Sequence, residues 1–214
     1  MMQAQPRQRK LYPLIKRFGD VVSGALLLLL ASPALLLVSL IVLLTDGRPV
    51  FFRQLRPGFQ GEPFLLLKFR SMKIEQASGL TDESDRVTRL GKILRRTSLD
   101  ELPSLWNIVR GDMSFVGPRP LLMEYLALYS PQHKTRHEVR PGLTGLAQAS
   151  GRNRVLWNTR LDLDAAYVQQ QSLLLDLSIL VRTVGLVSTS RGVTREDGTT
   201  MPPLQEGYYL REMD

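Results

Sequence analysis

The sequence predicts an α+β fold, mostly helical, in which a single domain stands on an N-terminal membrane foot. Three observations carry that prediction. No residue from Val21 to Thr45 is charged and leucine dominates the stretch; two short strand-like runs follow it; the remainder has helical spacing with no internal repeat, low-complexity tract or polar linker. The foot occupies residues 1–47 and the domain residues 48–214.

The foot opens with Arg7, Arg9, Lys10, Lys16 and Arg17, and no acidic residue lies among the first seventeen. A helix over residues 21–45 is about 38 Å long, more than the roughly 30 Å of a hydrocarbon core. Ser32 and Pro33 fall at its middle, where proline removes a backbone donor and predicts a sharp kink or break. Arg48, Arg53 and Arg56 follow, so both flanks are basic. A span would place one basic flank against the positive-inside tendency. The simplest geometry for both flanks is a re-entrant helix-break-helix that returns to the face it entered; a kinked span is the alternative. A cleaved signal peptide fits poorly, because its apolar region runs about 7 to 15 residues.

Beyond the foot, Val50–Leu55 and Glu62–Phe69 read as a hairpin around Pro57, Gly58 and Gly61. Leu90, Ile93 and Leu94 form the apolar edge of a helix whose other sides carry Arg89, Lys92 and Arg96. Leu105, Ile108 and Val109 continue such an edge in a second helix that stops at Gly111. Residues 121–138 look helical, Pro141, Gly142 and Gly145 make a loop, and Asp162–Gln171 resumes helix. Leu173–Val187, with Asp176 and Arg182 inside it, is either a core helix or one lying in a membrane interface. The tail after Arg191 reads as loop.

Composition narrows the chemistry. With no cysteine, disulfides, thiol catalysis and thiolate metal sites are excluded together. The net charge of +8 predicts attraction to a polyanion: nucleic acid, an anionic membrane surface or a phosphorylated small molecule. Walker, dinucleotide-glycine, serine-elbow and Cys/His zinc motifs are missing. His133 and His137, four apart, read as an exposed polar helix face rather than two metal ligands.

The densest polar cluster runs from Asp85 through Arg86, Arg89, Lys92, Arg95, Arg96 and Ser98 to Asp100 and Glu101. Ser98 with Glu101 fits a capping box, although Pro103 argues that the helix begins later. On either reading the carboxylates sit at or just before a helix N-terminus, which with nearby arginines favours their ionised form and gathers phosphate. A carboxylate attacking a pyrophosphate needs such cations, because it brings an anion to an anion. Being adjacent, Asp100 and Glu101 point in different directions, which suits one nucleophile and one assistant. Pro118, Arg119 and Pro120 either display a guanidinium rigidly for phosphate or make an ordinary turn. Pro141–Gly145 with Gln148, Gly151, Arg152 and Asn153 is either a nucleotide-contacting loop or another turn.

KFRSM at 68–72, LRRTSLDELPSLWNIVRGDMSFVGPRPLL at 94–122 and RPGLTGLAQASGRN at 140–153, in this order and spacing, resemble the monotopic bacterial phosphoglycosyl transferases. The similarity extends from Lys16, Arg17 and Asp20 through Ser32 and Pro33 to Asn153. The resemblance implies a catalytic domain on the cytoplasmic face of the bacterial inner membrane and a re-entrant helix in the foot. It implies that Asp100 attacks the β-phosphate of a UDP-sugar, expels UMP and holds the sugar phosphate until polyprenol phosphate displaces it. By the same resemblance Glu101 is expected to assist, and Mg2+ to bridge Asp100 and the diphosphate. Lys68, Arg70, Arg86, Arg95, Pro118, Arg119, Pro120, Thr144, Gln148 and Arg152 are the substrate-binding residues this likeness implies. Leu146 stands where many members carry tryptophan, and Ala149 and Ser150 replace a commoner Val-Asn pair. With so few residues before Phe18, the chain resembles the minimal catalytic form. Partners implied are the UDP-sugar, polyprenol phosphate and membrane lipid, with no nucleic acid; self-association is left open. The rivals are a membrane-tethered basic binding protein, which leaves the Asp100, Glu101 pair without a purpose, and a membrane-anchored scaffold, which retained function in Asp100→Asn would favour.

Overall fold

A computed structural model describes residues 6–74, 86–151, 156–188 and 204–205. The foot is one helix, α1, Pro6–Thr45. Helical structure continues through Ser32 and Pro33, so the interruption the sequence predicts there takes at most the form of a bend in the axis. The physical reason lies in the pair itself. Pro33 cannot donate to the carbonyl of Leu29, and the Ser32 hydroxyl donates to that oxygen instead at 2.7 Å. The window Leu11–Thr45 is long and apolar enough to enter a membrane, and only 6% of its most apolar part is buried, unlike the core helix of a water-soluble domain.

One face of α1 nevertheless belongs to the core. Gly24 admits the neighbouring helix so closely that a Cβ there would meet Ile108 Cγ2 at 3.2 Å. Leu28 and Ala31 pack on the cluster of Phe64, Leu66, Leu105, Ile108 and Met113. Val38 and Val42 are buried with Phe69 and Leu94. Both ends of the helix are tied down. Tyr12 and Lys16 each donate to Asp176 at 2.6 Å, and Arg17 donates to the carbonyls of Ile108 and Val109. At the far end Arg70 donates to the carbonyls of Asp46, Gly47 and Arg48, while Thr88 donates to the Asp46 carboxylate at 3.0 Å.

The predicted hairpin forms as β1, Phe51–Pro57, antiparallel to β2, Pro63–Phe69, around a 3-10 turn at Phe59–Gly61. Prolines close the ladder, since Pro57 opposite Pro63 has no N–H to share. The free edge of β2 is covered by side chains of α3, Ser104–Arg110. Asn107 accepts from Leu67 N–H at 3.1 Å and donates to Leu65 C=O at 2.8 Å, and Ser104 donates to Leu67 C=O at 2.7 Å. They stand in for a third strand.

Helix α2, Arg89–Thr97, is capped by Thr88, whose hydroxyl accepts from Gly91 N–H at 2.9 Å. It ends at Ser98 in the left-handed region, φ 58°, so the capping box is not formed: Ser98 caps nothing with its side chain. A 3-10 turn, Leu99–Glu101, fills the step to α3, which starts beyond Pro103 as the proline predicts. Strand β3, Ser114–Val116, then pairs in parallel with β4, Gly142–Thr144. Gly142 is required there, because a Cβ would lie 2.1 Å from Gly117 N.

The predicted helix over 121–138 is instead three short pieces: 3-10 turns at Met123–Ala127 and Thr135–Glu138 flank α4, Pro131–Lys134. Pro131 at the first turn of α4, with Ser130 as its cap, makes a fresh start that interrupts the run. His133 and His137 are not an exposed face. His133 is buried and meets Asp162 at 2.9 Å, and His137 tucks against Tyr129 and the Gly58 carbonyl.

After α5, Leu146–Ala149, two longer helices close the domain: α6, Trp157–Gln170, and α7, Leu173–Ser188. Tyr167 of α6 and Ile179 of α7 are buried against Val116 of β3. Asp176 faces inward and accepts from Tyr167 at 2.8 Å, whereas Leu173, Leu174, Leu177, Val181 and Val184 are exposed. So α7 is a core helix on one side and carries an exposed apolar row on the other. The predicted loop after Arg191 lies outside the described residues except Leu204 and Gln205; Leu204 is buried with Leu121, Tyr125, Tyr129 and Leu161.

Candidate active site

Asp100 and Glu101 sit in the 3-10 turn between α2 and α3, where the left-handed Ser98 turns the chain. A cleft of about 2180 Å³ opens over them. Lys68 enters from β2 and Arg119 from the loop after β3, and both meet the same oxygen, Glu101 Oε1, at 2.5 and 3.2 Å. The loop is fixed by backbone: Gly117 N–H donates to Thr144 C=O and Gly142 N–H to Pro118 C=O, each at 2.9 Å. Arg136 completes the fixation, donating to the Arg119 carbonyl at 2.6 Å and to Asp164 at 2.8 Å. The Arg136 and Asp164 side chains are 1% and 2% exposed, so a fully desolvated pair grips the loop.

The adjacent carboxyls are driven apart electrically. Burial alone would raise Glu101, but Lys68 and Arg119 outweigh it and hold the group down at about 2. Asp100 moves the other way: burial pushes it up, the negative Glu101 adds to that, and Lys68, Arg119 and Arg95 only partly oppose. Among the described residues no hydrogen bond ties the Asp100 side chain, so its oxygens stay available in the cleft. One carboxylate is thus a fixed, permanently ionised anchor for two cations, and its neighbour is a more basic, uncommitted carboxyl.

Two comparisons bear on this site. Residues 11–190 match the family model described as bacterial sugar transferase. The chain belongs to the bacterial sugar transferase family. It is 45% identical over 189 residues to the "Uncharacterized sugar transferase EpsL" of Bacillus subtilis, covering 87% of this chain and 94% of that one. It is 43% identical over 197 residues to the "UDP-glucose:undecaprenyl-phosphate glucose-1-phosphate transferase" of Caulobacter vibrioides, covering 86% and 74%. The "Exopolysaccharide production protein ExoY" of Rhizobium meliloti is 42% identical over 197 residues, covering 83% and 87%.

Within this transferase, most residues expected at the substrate line one cleft: Lys68, Arg70, Arg86, Arg95, Arg119, Thr144 and Gln148. Their availability differs. Arg70 turns its terminal nitrogens to the backbone where α1 ends, so it serves the foot more than a ligand. Arg95 is held by Ser71 at 2.9 Å, and Thr144 pairs with Thr183 at 2.7 Å. Gln148 presents a buried amide whose nitrogen and oxygen both lack a partner, a natural reader of a polar ligand. Pro120 borders the smaller recess beside Arg119, and Pro118 contributes its carbonyl to Gly142. Arg152 lies outside the described residues. Sequence reasoning missed Arg136, Asp164, Arg160 and Arg56. Only the four-residue spacing of Arg160 and Asp164 was there to find, and it marks a shared helix face without saying what that face meets.

Proposed function

We propose that this transferase moves a sugar 1-phosphate from a UDP-sugar to polyprenol phosphate, releasing UMP, through a covalent intermediate on Asp100. The observation that carries the reading is the uncommitted, upward-shifted Asp100 beside a Glu101 clamped by Lys68 and Arg119. An Asp100 oxygen forms a bond to the β-phosphorus while the bond from that phosphorus to the bridging oxygen breaks, and UMP leaves with the electron pair. An oxygen of polyprenol phosphate then attacks the same phosphorus, breaking the acyl phosphate bond and restoring the carboxylate. Lys68 and Arg119 lie where negative charge builds up in both steps, and Glu101 fixes their position. The names of the Caulobacter relative and of others like it point to the same donor and acceptor classes.

A divalent metal fits the donor set. Mg2+ is usually held by one or two carboxylates together with substrate phosphates and water, and Asp100 is the free hard-oxygen ligand here. When bound, Mg2+ supplies Lewis-acid neutralisation of the diphosphate.

The topology proposed is re-entrant, with the domain on the cytoplasmic face of a bacterial inner membrane. Its support is that Tyr12, Lys16 and Arg17 at one end of α1, and Asp46 and Gly47 at the other, are all bonded to the same domain. A helix held at both ends by one domain has no end left for the opposite side.

The decisive experiment is incubation with labelled UDP-sugar and Mg2+ but without lipid acceptor, followed by denaturation. Label is expected on the wild-type chain, absent in Asp100→Asn and absent after chelation of the metal. An unlabelled wild-type chain across a panel of sugars, or full turnover by Asp100→Asn, would reject the mechanism.

A further inference from the structure

The strand that delivers Arg119 to the site is held from the foot. Asp20 of α1 accepts from Phe115 N–H of β3 at 3.4 Å. One residue on, the Val116 carbonyl accepts from the Tyr167 hydroxyl of α6 at 3.1 Å, and the same hydroxyl lies 2.8 Å from Asp176 Oδ1 of α7. The other oxygen of Asp176, Oδ2, accepts from Tyr12 and Lys16 of α1, each at 2.6 Å. Val116, Tyr167 and Asp176 are all buried, so water does not compete for these bonds.

A phenol has one proton to give, and Val116 and Asp176 compete for it. Burial, and then the charge of Asp176, push the Tyr167 hydroxyl up from its ordinary value, which keeps that proton in place. Its division depends on how well Asp176 is served elsewhere. The Lys16 ammonium and the Tyr12 hydroxyl draw on Oδ2, weaken the pull of the carboxylate and leave more of the Tyr167 proton to the Val116 carbonyl. Beyond Val116 the chain is stiff. A Cβ on Gly117 would lie 2.3 Å from the Arg140 carbonyl, and prolines flank Arg119 on both sides. A shift at the Val116 carbonyl therefore reaches Arg119 instead of being absorbed on the way.

We propose that Tyr167 and Asp176 are positioning residues for Arg119, and that through them the N-terminal end of the foot sets how firmly this arginine clamps Glu101. Neither side chain is part of the cleft wall, so both act through the strand and not on a substrate. The inference rests on the reading of Arg119 as a cation that meets the charge built up during transfer. It gives the attachment of α1 a catalytic consequence, because the segment that leads into the lipid is joined through Asp176 and Tyr167 to the strand that ends at Arg119.

The test uses the full chain in phospholipid nanodiscs. Tyr167→Phe removes one hydroxyl at nearly constant volume, and Tyr12→Phe does the same at the foot. The first readout is single-turnover labelling by the UDP-sugar that labels the wild-type chain. Tyr167→Phe should lower the rate at saturating donor about tenfold and leave the half-saturating concentration within about twofold, since the charge Arg119 meets builds up in the transition state. Tyr12→Phe should lower the rate about threefold, and by nothing further once Tyr167 is replaced. In an Arg119→Gln background neither change should matter. The second readout needs no turnover. Phenylglyoxal modification of Arg119, followed by peptide mass spectrometry and referred to the exposed Arg110, should quicken about threefold in Tyr167→Phe. Full additivity with Arg119→Gln, a change confined to the half-saturating concentration, or an Arg119 reactivity that stays at the wild-type ratio overturns the proposal. An Arg119 freed by Tyr167→Phe in a protein that takes no label on Asp100 would defeat the proposed reaction and leave the positioning network standing.

Discussion

At the scale of single residues, the site turns on unequal treatment of neighbours. Asp100 is raised by burial and then by Glu101, so the inert protonated form persists to a higher pH than for an ordinary carboxyl. Labelling should therefore rise with pH through a midpoint shifted upward from that of an ordinary aspartate and then level off. Replacing Glu101 by Gln removes the repulsion and frees Lys68 and Arg119 to act on Asp100, so the acid limb should move to lower pH even as the rate falls. A pH profile of single-turnover labelling reads this directly; a limb that stays fixed or climbs contradicts it. Asp100 and Glu101 were legible in the sequence because the turn that carries them is local and rich in polar residues. Arg56, Arg136 and Arg160 were not, since they arrive from β1, a 3-10 turn and α6 through contacts that no local pattern encodes.

Among the elements, the hairpin and α3 were readable from alternation, helical spacing and turn residues. How they join was not. Asn107 and Ser104 complete the β2 edge with side chains, and a polar residue on a helix gives no sign in sequence that it replaces a strand. Asn107→Ala would leave the part-buried Leu67 N–H and Leu65 C=O without their partner, at a cost of about 1 to 3 kcal/mol. Thermal unfolding in nanodiscs should show a clear drop in midpoint, and a change within error would refute the role of edge cover. In α1 helical structure persists past Pro33 because the lost backbone donor is met from within the pair, by the Ser32 hydroxyl. Ser32→Ala should lower thermal stability by about 1 to 3 kcal/mol, and adding Pro33→Ala should recover it by restoring the missing donor. If the double variant is no better than the single one, the hydroxyl has some other task.

On the scale of the whole molecule, composition pointed to the foot and the resemblance to a candidate site, but neither said that foot and domain share a core. The absence of cysteine makes the topology easy to measure. Single cysteines at Gln8 and Glu62, on either side of the apolar stretch, should both react with a membrane-impermeant maleimide in inside-out vesicles and both stay silent in intact spheroplasts. Opposite labelling of the two positions would establish a span.

The packing of Val38, Val42, Leu28 and Ala31 against Phe69, Leu94, Ile108 and Met113 has a consequence for any truncated form. Baring that surface would forfeit on the order of 10 kcal/mol of apolar burial, comparable with the whole net stability of a domain. Because that face belongs to the core, a chain stripped of α1 is expected to fail to fold rather than to yield a water-soluble transferase.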